Sequence, residues 1–393
     1  MSAVATLIPT PTITPKHYAE RLGRAQAALA DRGAGALLVG VGTDLRWLIG
    51  YEAMPLERLT MLVLQPEGRP TLVVPRLEAS AAQAASGVEA GLADLVTWTE
   101  TEDPIRNVAS SLRGVASQPG AELLVSDSLR AAFLLKLQAG IPTARFGLAS
   151  AVTSPLRQIK DAEELELLRL AAHAADRTVK AISSGRLVGR AEWDVAREIR
   201  DRLVIEGHHE ASFQIVASGP NSASPHHGAG ERVIEAGEPI VIDIGGRIGG
   251  YYSDITRTVW VTGGDDARGP DDTFRELFAV LHRAQEAARA AIAPGVPCEA
   301  IDRTARDIID AAGHGEHFFH RTGHGIGLDG HEDPYLVAGN AAPLEVGNTF
   351  SVEPGIYLEG RYGARIEDIL ACAADGPDEL NQLDRGLAIV SGV

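Results

Sequence analysis

Cysteine is almost absent from this chain: two residues in 393, Cys298 and Cys372. That leaves no disulfide framework and fits a reducing, cytoplasmic setting. Positive charge is also scarce. Thirty-six Lys and Arg stand against 53 Asp and Glu, a formal net charge of −17, which argues against a nucleic-acid backbone or an anionic membrane as the main partner. No apolar run approaches transmembrane length. The opening MSAVATLIPTPTITP has no basic region ahead of its apolar residues and is broken by prolines, so it does not read as a signal peptide. What remains, 45% hydrophobic and 23% charged residues, describes an ordinary globular protein, long enough for two domains with full cores.

The first part alternates helix and strand signals. Lys16 to Asp31 has helical spacing, with Tyr18, Leu22, Ala25 and Leu29 on one face. ALLVG reads as a short strand, and TMLVLQP and PTLVVPR flank a PEGR turn as a hairpin. ADLVTWTE, AELLVS and ARFGLAS are further strands, with helices expected over Pro104–Arg113 and Leu129–Gln138. GVGTDL lacks the third glycine of a dinucleotide loop. The boundary is expected in SPLRQIKDAEE, where Asp161 is an N-cap candidate with Glu164 three residues on. Domains 1–154 and 155–393 follow. In the second, helices are expected from there to about Ile182, over Arg190–Ile205, Asp271–Ile292 and Cys298–Ala312, with FQIVASG as a strand.

The second domain is organised around Pro239–Asp254, PIVIDIGGRIGGYYSD, which reads as strand, glycine-rich reversal, strand. Alternation puts Val241, Asp243 and Gly245 on one face, and a hairpin brings Asp243 and Asp254 opposite each other. Two carboxylates on one half-buried face repel unless one is protonated or a cation intervenes. Taken alone, the pair also reads as surface aspartates beside a turn. The pattern recurs, however: EAGEPIVIDIG (Glu235–Gly245) overlays EVGNTFSVEPG (Glu345–Gly355) at a constant offset of 110, placing Glu353 on Asp243. In the following ARIEDILA, Glu367 reads as the counterpart of Asp254. Each half is then helix, helix, hairpin, and a pseudo-twofold site with four acids at its centre is expected.

Histidines concentrate nearby, in HFFHRTGHGIGLDGHEDP (His317–Pro334). Its glycines exclude a regular helix and imply backbone held close to something. A lone histidine is more often a core residue than a ligand. Beside four paired acids, His324 is the strongest ligand candidate, with His320 and His331 directed to the same place. Four carboxylates and one imidazole do not suit a structural zinc. They suit two divalent ions sharing carboxylates, typically about 3.5–4 Å apart. The donor set fits manganese, cobalt, iron or zinc without discriminating among them.

The motifs SGPNSASPHH, VIDIGGRIGGYYSDITRT, HRTGHGIGLDGHEDP, SVEPGIY and RIED resemble those of the pita-bread metallopeptidases, the family of methionine aminopeptidase, aminopeptidase P and prolidase. The resemblance covers the chain from about residue 155 to the end. More weakly, TDLRWLIGY (Thr43–Tyr51) resembles the N-terminal domain of creatinase and the proline-specific branch. The fold implied is α/β (α+β), a creatinase/prolidase-like domain followed by a pseudo-twofold pita-bread domain. The ligand set implied is Asp243, Asp254, His324, Glu353 and Glu367, holding two divalent metals, manganese first.

The implied activity is hydrolysis of the Xaa-Pro bond of short peptides by a hydroxide bridging the metals, which lower the pKa of water from about 15.7 toward 7. Glu353 is then the proton shuttle. His331 and His226 would hydrogen-bond the carbonyl or the oxyanion, with the adjacent His227 an alternative to His226. His320 and Arg365 would orient the ligands. A homodimer is a further implication.

A dipeptidase must hold the proline carboxylate, for which an arginine is the natural clamp. Arg46 is the candidate, though it also reads as a surface arginine beside Trp47; Arg365 and Arg321 are alternatives. HRTGHGIG favours a dipeptidase (prolidase) over an aminopeptidase P acting on longer peptides. A metal-dependent lyase on the same frame is the other reading left open. Metal-free binding proteins and creatinase itself lack the ligand set.

Overall fold

The computed structural model describes residues 10–393 apart from 113, 116 and 117. Most of the opening segment read against a signal peptide, and the end of the helix expected to reach Arg113, therefore lie outside the described residues. The chain divides into two compact units, one of them Ile13–Arg157 and the other built on Gln158–Val393.

The first unit runs α1 (Pro15–Arg32), β1 (Ala36–Val39), α2 (Thr43–Ile49), β2 (Met61–Leu64), β3 (Thr71–Pro75), α3 (Ala79–Gln83), α4 (Ser86–Glu89), β4 (Asp94–Trp98), α5 (Pro104–Ser111), β5 (Glu122–Val125), α6 (Ala131–Gly140), β6 (Arg145–Leu148) and α7 (Ser150–Arg157). Its strands form one sheet in the order β4-β3-β2-β1-β5-β6. The expected hairpin is present: β2 and β3 pair antiparallel with Met61 opposite Val73. β1, β2 and β3 are buried along their whole length, so they read as continuous apolar runs rather than alternating ones. Two helices differ from expectation. TDLRWLI is helical, ended by Gly50 at φ 71°. α7 runs through the expected boundary with Pro155 inside it.

The second unit opens with α8 (Ala162–Ser183). Asp161 and Glu164 form the expected reciprocal cap, each side chain accepting from the other's backbone N–H at 2.9 and 3.0 Å, an arrangement that contributes about 1 kcal/mol. Then come α9 (Glu192–Ile205), β7 (Glu210–Ser218), β8 (Glu238–Ile248), β9 (Tyr251–Tyr252), β10 (Ile255–Val261), α10 (Asp272–Ala290) and α11 (Cys298–Ala311). β11 (Gly323–Gly325), β12 (Glu332–Leu336), β13 (Thr349–Val352), β14 (Gly355–Leu358), β15 (Tyr362–Arg365), β16 (Asp368–Ala373), β17 (Gly376–Glu379) and β18 (Ala388–Val390) complete it. One sheet has the order β18-β10-β8-β7, with β9 paired to β8, a second has the order β12-β11-β13-β16-β17, and β14 and β15 form a two-stranded sheet of their own.

The two halves match. Each places a helix pair over one sheet, with its own core: Val179, Val195, Ile199, Ile240 and Ile242 in one, Phe274, Leu281, Ile301, Phe350 and Leu370 in the other. The halves meet where Thr256 bridges Glu367 antiparallel. Register corrects two expectations. Asp243 lies opposite Thr256, not Asp254. β8 continues through Gly245 and Gly246, and the chain reverses only at Gly249–Gly250, both with positive φ. Asp254 is thus displaced along the same edge. In the second half Val352 pairs Asp368, which sets Glu353 across from Glu367; by register Glu367 matches Thr256 rather than Asp254.

Candidate metal centre and substrate cavity

The carboxylates converge because strand ends from both halves do. Asp243 comes from β8, Asp254 from the link between β9 and β10, Glu353 from the end of β13 and Glu367 from the link between β15 and β16. His324 is the middle residue of β11. Glycine lets these backbones close up. A Cβ on Gly323 would lie 1.9 Å from Ser351 O, one on Gly325 2.3 Å from Asp333 O, and one on Gly245 2.3 Å from Ser253 O. The glycine-rich histidine segment therefore lies against its neighbouring strands.

Asp254, His324 and Glu367 each present a ligand atom within 4.8 Å of the others. His324 Nδ1 donates to Gly325 O at 3.1 Å, so Nε2 carries the lone pair. That lone pair faces Asp254 Oδ2 at 3.7 Å and Glu353 Oε1 at 3.4 Å. Burial, with His331 beside it, pushes His324 down to about 3, so the imidazole is a neutral ligand. Burial and mutual repulsion raise Asp254 and Glu367 well above the usual carboxylate range, and burial brings Glu353 to about 7. Asp243 Oδ1 and Glu367 Oε1 are buried with no hydrogen-bond partner. Acceptors facing acceptors and two orphaned carboxylate oxygens are what cations would resolve, so these residues fit a divalent metal centre.

Arg365 ties the acids together. It donates to Asp243 Oδ2 at 2.6 Å, Thr256 Oγ1 at 3.1 Å and Tyr357 Oη at 3.0 Å. Thr256 in turn donates to Glu367 Oε2 at 2.6 Å. His320 Nδ1 donates to Arg321 O, so its Nε2 accepts from Tyr357 Oη at 2.9 Å. Thr256 and Tyr357 had no assigned role in the sequence. Thr256 could have been found from its position two residues after Asp254, on the same strand face.

A cavity of about 760 Å³ opens onto this centre. His226, His331, Arg321, Phe213, Ile215, Tyr252 and Phe319 are among the residues that line it. Arg321 Nη2 donates to His331 Nδ1 at 3.1 Å, which leaves Nε2–H as the free donor of a neutral ring. His227 does not line the cavity: its Nε2 is bound to Glu192 Oε2 at 2.7 Å, so the substrate contact considered for it is not observed. Arg365 is consumed by its three partners and is no free clamp. Arg46 belongs to the other unit, on α2, where its guanidinium pairs with Glu52.

The profile of metallopeptidase family M24 matches residues 166–374, and that of the creatinase/prolidase N-terminal domain matches residues 21–159. The chain belongs to the metallopeptidase family M24. Its second unit is the pita-bread domain of that family and its first the creatinase-like domain. A probable dipeptidase PepE of Mycobacterium tuberculosis is 43% identical over 374 residues, 95% of this chain and 96% of the relative. The Xaa-Pro dipeptidase of Lactobacillus helveticus is 34% identical over 373 residues, 94% and 98% respectively. The crystal structure of a prolidase from Thermococcus sibiricus superposes with a TM-score of 0.87 at 36% identity, covering 95% of this chain and 99% of that one. Among the described residues, no helix is long and apolar enough to cross a membrane.

Proposed function

We propose that this M24 chain is a dinuclear Xaa-Pro dipeptidase. The observation that carries the reading is the ring of buried, under-satisfied carboxylates around the His324 lone pair, facing a cavity that also presents His226, His331 and Arg321. Dipeptidase and prolidase relatives support the substrate class. Asp243, Asp254, His324, Glu353 and Glu367 would hold two divalent cations, with manganese proposed and cobalt, iron or zinc compatible. When bound, such a pair makes hydroxide available near neutral pH and polarises the scissile carbonyl.

The chain's own residues supply the rest. Glu353 is the most open of the acids that face His324 or Arg365, with 16% of its side chain exposed against 8% for Asp254 and 10% for Asp243. It therefore takes the water proton and passes it to the leaving proline nitrogen. His331 Nε2–H, fixed by Arg321, donates to the developing oxyanion, and His226 does so from the opposite loop. Arg321 lines the cavity and receives the substrate carboxylate, in preference to Arg46. Phe213, Ile215 and Phe319 give the cavity apolar surface suited to a proline ring. A cytoplasmic homodimer completes the proposal.

The test is to strip the metal, restore manganese, cobalt or zinc in turn, and compare an Xaa-Pro dipeptide with the same peptide extended by one residue. Metal-dependent cleavage confined to the dipeptide is expected. Faster cleavage of the longer peptide would make the enzyme an aminopeptidase P. Two bound metals with neither peptide cleaved would bring the lyase forward.

A further inference from the structure

Of the adjacent His226 and His227, only His226 lines the cavity. The two belong to the stretch between β7 and β8, which carries few elements of its own beyond a short turn at Gly219–Ala223. A 3₁₀ turn and a glycine-bearing loop do not orient a side chain by themselves, so the hold must come from elsewhere.

It comes from Glu192, the first residue of α9 and fully buried. One carboxylate oxygen accepts from Ser218 N at 2.8 Å, Ser218 Oγ at 2.7 Å and Asn221 Nδ2 at 3.0 Å. The other accepts from His227 Nε2 at 2.7 Å, Asn221 Nδ2 at 3.2 Å and Gly230 N at 3.4 Å. The partners span the loop from its start, Ser218, to Gly230, and His227 is the one that adjoins the cavity-lining His226 in the chain. These donors hold Glu192 below the usual carboxylate range despite its burial. A buried carboxylate at a helix N-terminus with this many donors is strongly held. On the far side the loop is tied to β15 through Gly363 N and Ser222 Oγ at 2.8 Å.

We propose that Glu192 and His227 are positioning residues: the Glu192–His227 bond clamps the 219–230 loop so that the neighbouring His226 faces the substrate. The adjacent histidines divide the work, one as tether and one as donor. This rests on the dipeptidase reading for what His226 does, but not for how it is held.

The test combines hydrogen exchange over residues 219–230, metal content and steady-state kinetics on an Xaa-Pro dipeptide, for His226→Ala, His227→Ala, the two combined, His227→Gln and Glu192→Ala. His227 is partly exposed, so its variants keep the fold even if Glu192→Ala does not. The expected result is faster exchange and a kcat lowered at least tenfold in His227→Ala, with KM and metal content little changed. Gln, whose amide reaches Glu192, should restore both protection and most of kcat. The His226→Ala/His227→Ala double variant should be no slower than His226→Ala alone. Full additivity, or unchanged loop exchange in His227→Ala, would overturn the proposal. Exchange is read without turnover. If no Xaa-Pro peptide is cleaved by the wild type, loosening in His227→Ala reversed in His227→Gln still supports the clamp, while the dipeptidase reading alone fails.

Discussion

At the scale of residues, the cavity works by hydrogen bonds that leave one atom of each side chain free. Arg321 occupies His331 Nδ1 and so exposes Nε2–H; Gly325 O occupies His324 Nδ1 and so exposes the Nε2 lone pair. His331→Ala should lower kcat by about 10²–10³-fold, the usual cost of losing an oxyanion donor. Arg321→Ala should cost about 2 kcal/mol of carboxylate binding, roughly 30-fold in KM for the dipeptide, with little change in KM for a peptide extended beyond proline, while kcat falls for both because His331 loses the partner of its Nδ1. An unchanged KM in Arg321→Ala together with a raised one in Arg46→Ala would return the clamp to the N-terminal unit. The candidate ligands were legible in the sequence because a carboxylate inside an apolar strand is conspicuous. Tyr357 and Thr256 were not, since a hydroxyl in a strand has no such signature until its partners, His320 and Glu367, are placed.

At the scale of elements, glycines decide how close the strands come. Gly245 lies where a methyl group would meet Ser253 O at 2.3 Å and the Phe213 ring at 2.4 Å. One neighbour is backbone and the other lines the cavity, so Gly245→Ala should cost more than about 1–3 kcal/mol and weaken metal binding through displacement of Asp254. Thermal denaturation and metal titration of the variant check this; a stable variant of normal metal affinity would show that the hairpin has slack there. The period-two and helical patterns made most elements readable. Register was less so: β8 runs through two glycines that looked like the turn, because pairing with β7 at Gly245 and Gly246, and with β9 just beyond them at Arg247 and Ile248, outweighs the low strand propensity of glycine. α2 was missed for a similar reason, a seven-residue helix being too short to show periodicity.

At the scale of the molecule, two half-domains with separate cores meet along the Thr256–Glu367 bridge, and the acid cluster sits at that junction. The repeat at an offset of 110 announced this arrangement, since a duplicated strand carries its acid with it. Putting acids at the junction has a cost that depends on pH. Asp254, Glu353 and Glu367 have raised folded-state values, so without cations the folded chain holds protons that the unfolded chain releases. The contribution of these three acids to the stability of the metal-free protein is then fully present below the ordinary carboxylate range and is lost as pH rises from about 4.5 toward 7, the value reached by Glu353. Melting temperatures across this range should diverge, the chelator-treated protein falling progressively below the manganese-loaded one. A gap that does not grow with pH would mean that the acids are not relieved by cations.

The most direct test is a calorimetric titration of metal-free protein with manganese near pH 7, run in two buffers of different ionisation enthalpy, with cleavage of an Xaa-Pro dipeptide followed in parallel. Two ions per chain, net proton release on binding and activity that rises with occupancy are predicted. One ion or none, or cleavage that persists in chelator, would contradict a dinuclear centre at Asp243, Asp254, His324, Glu353 and Glu367.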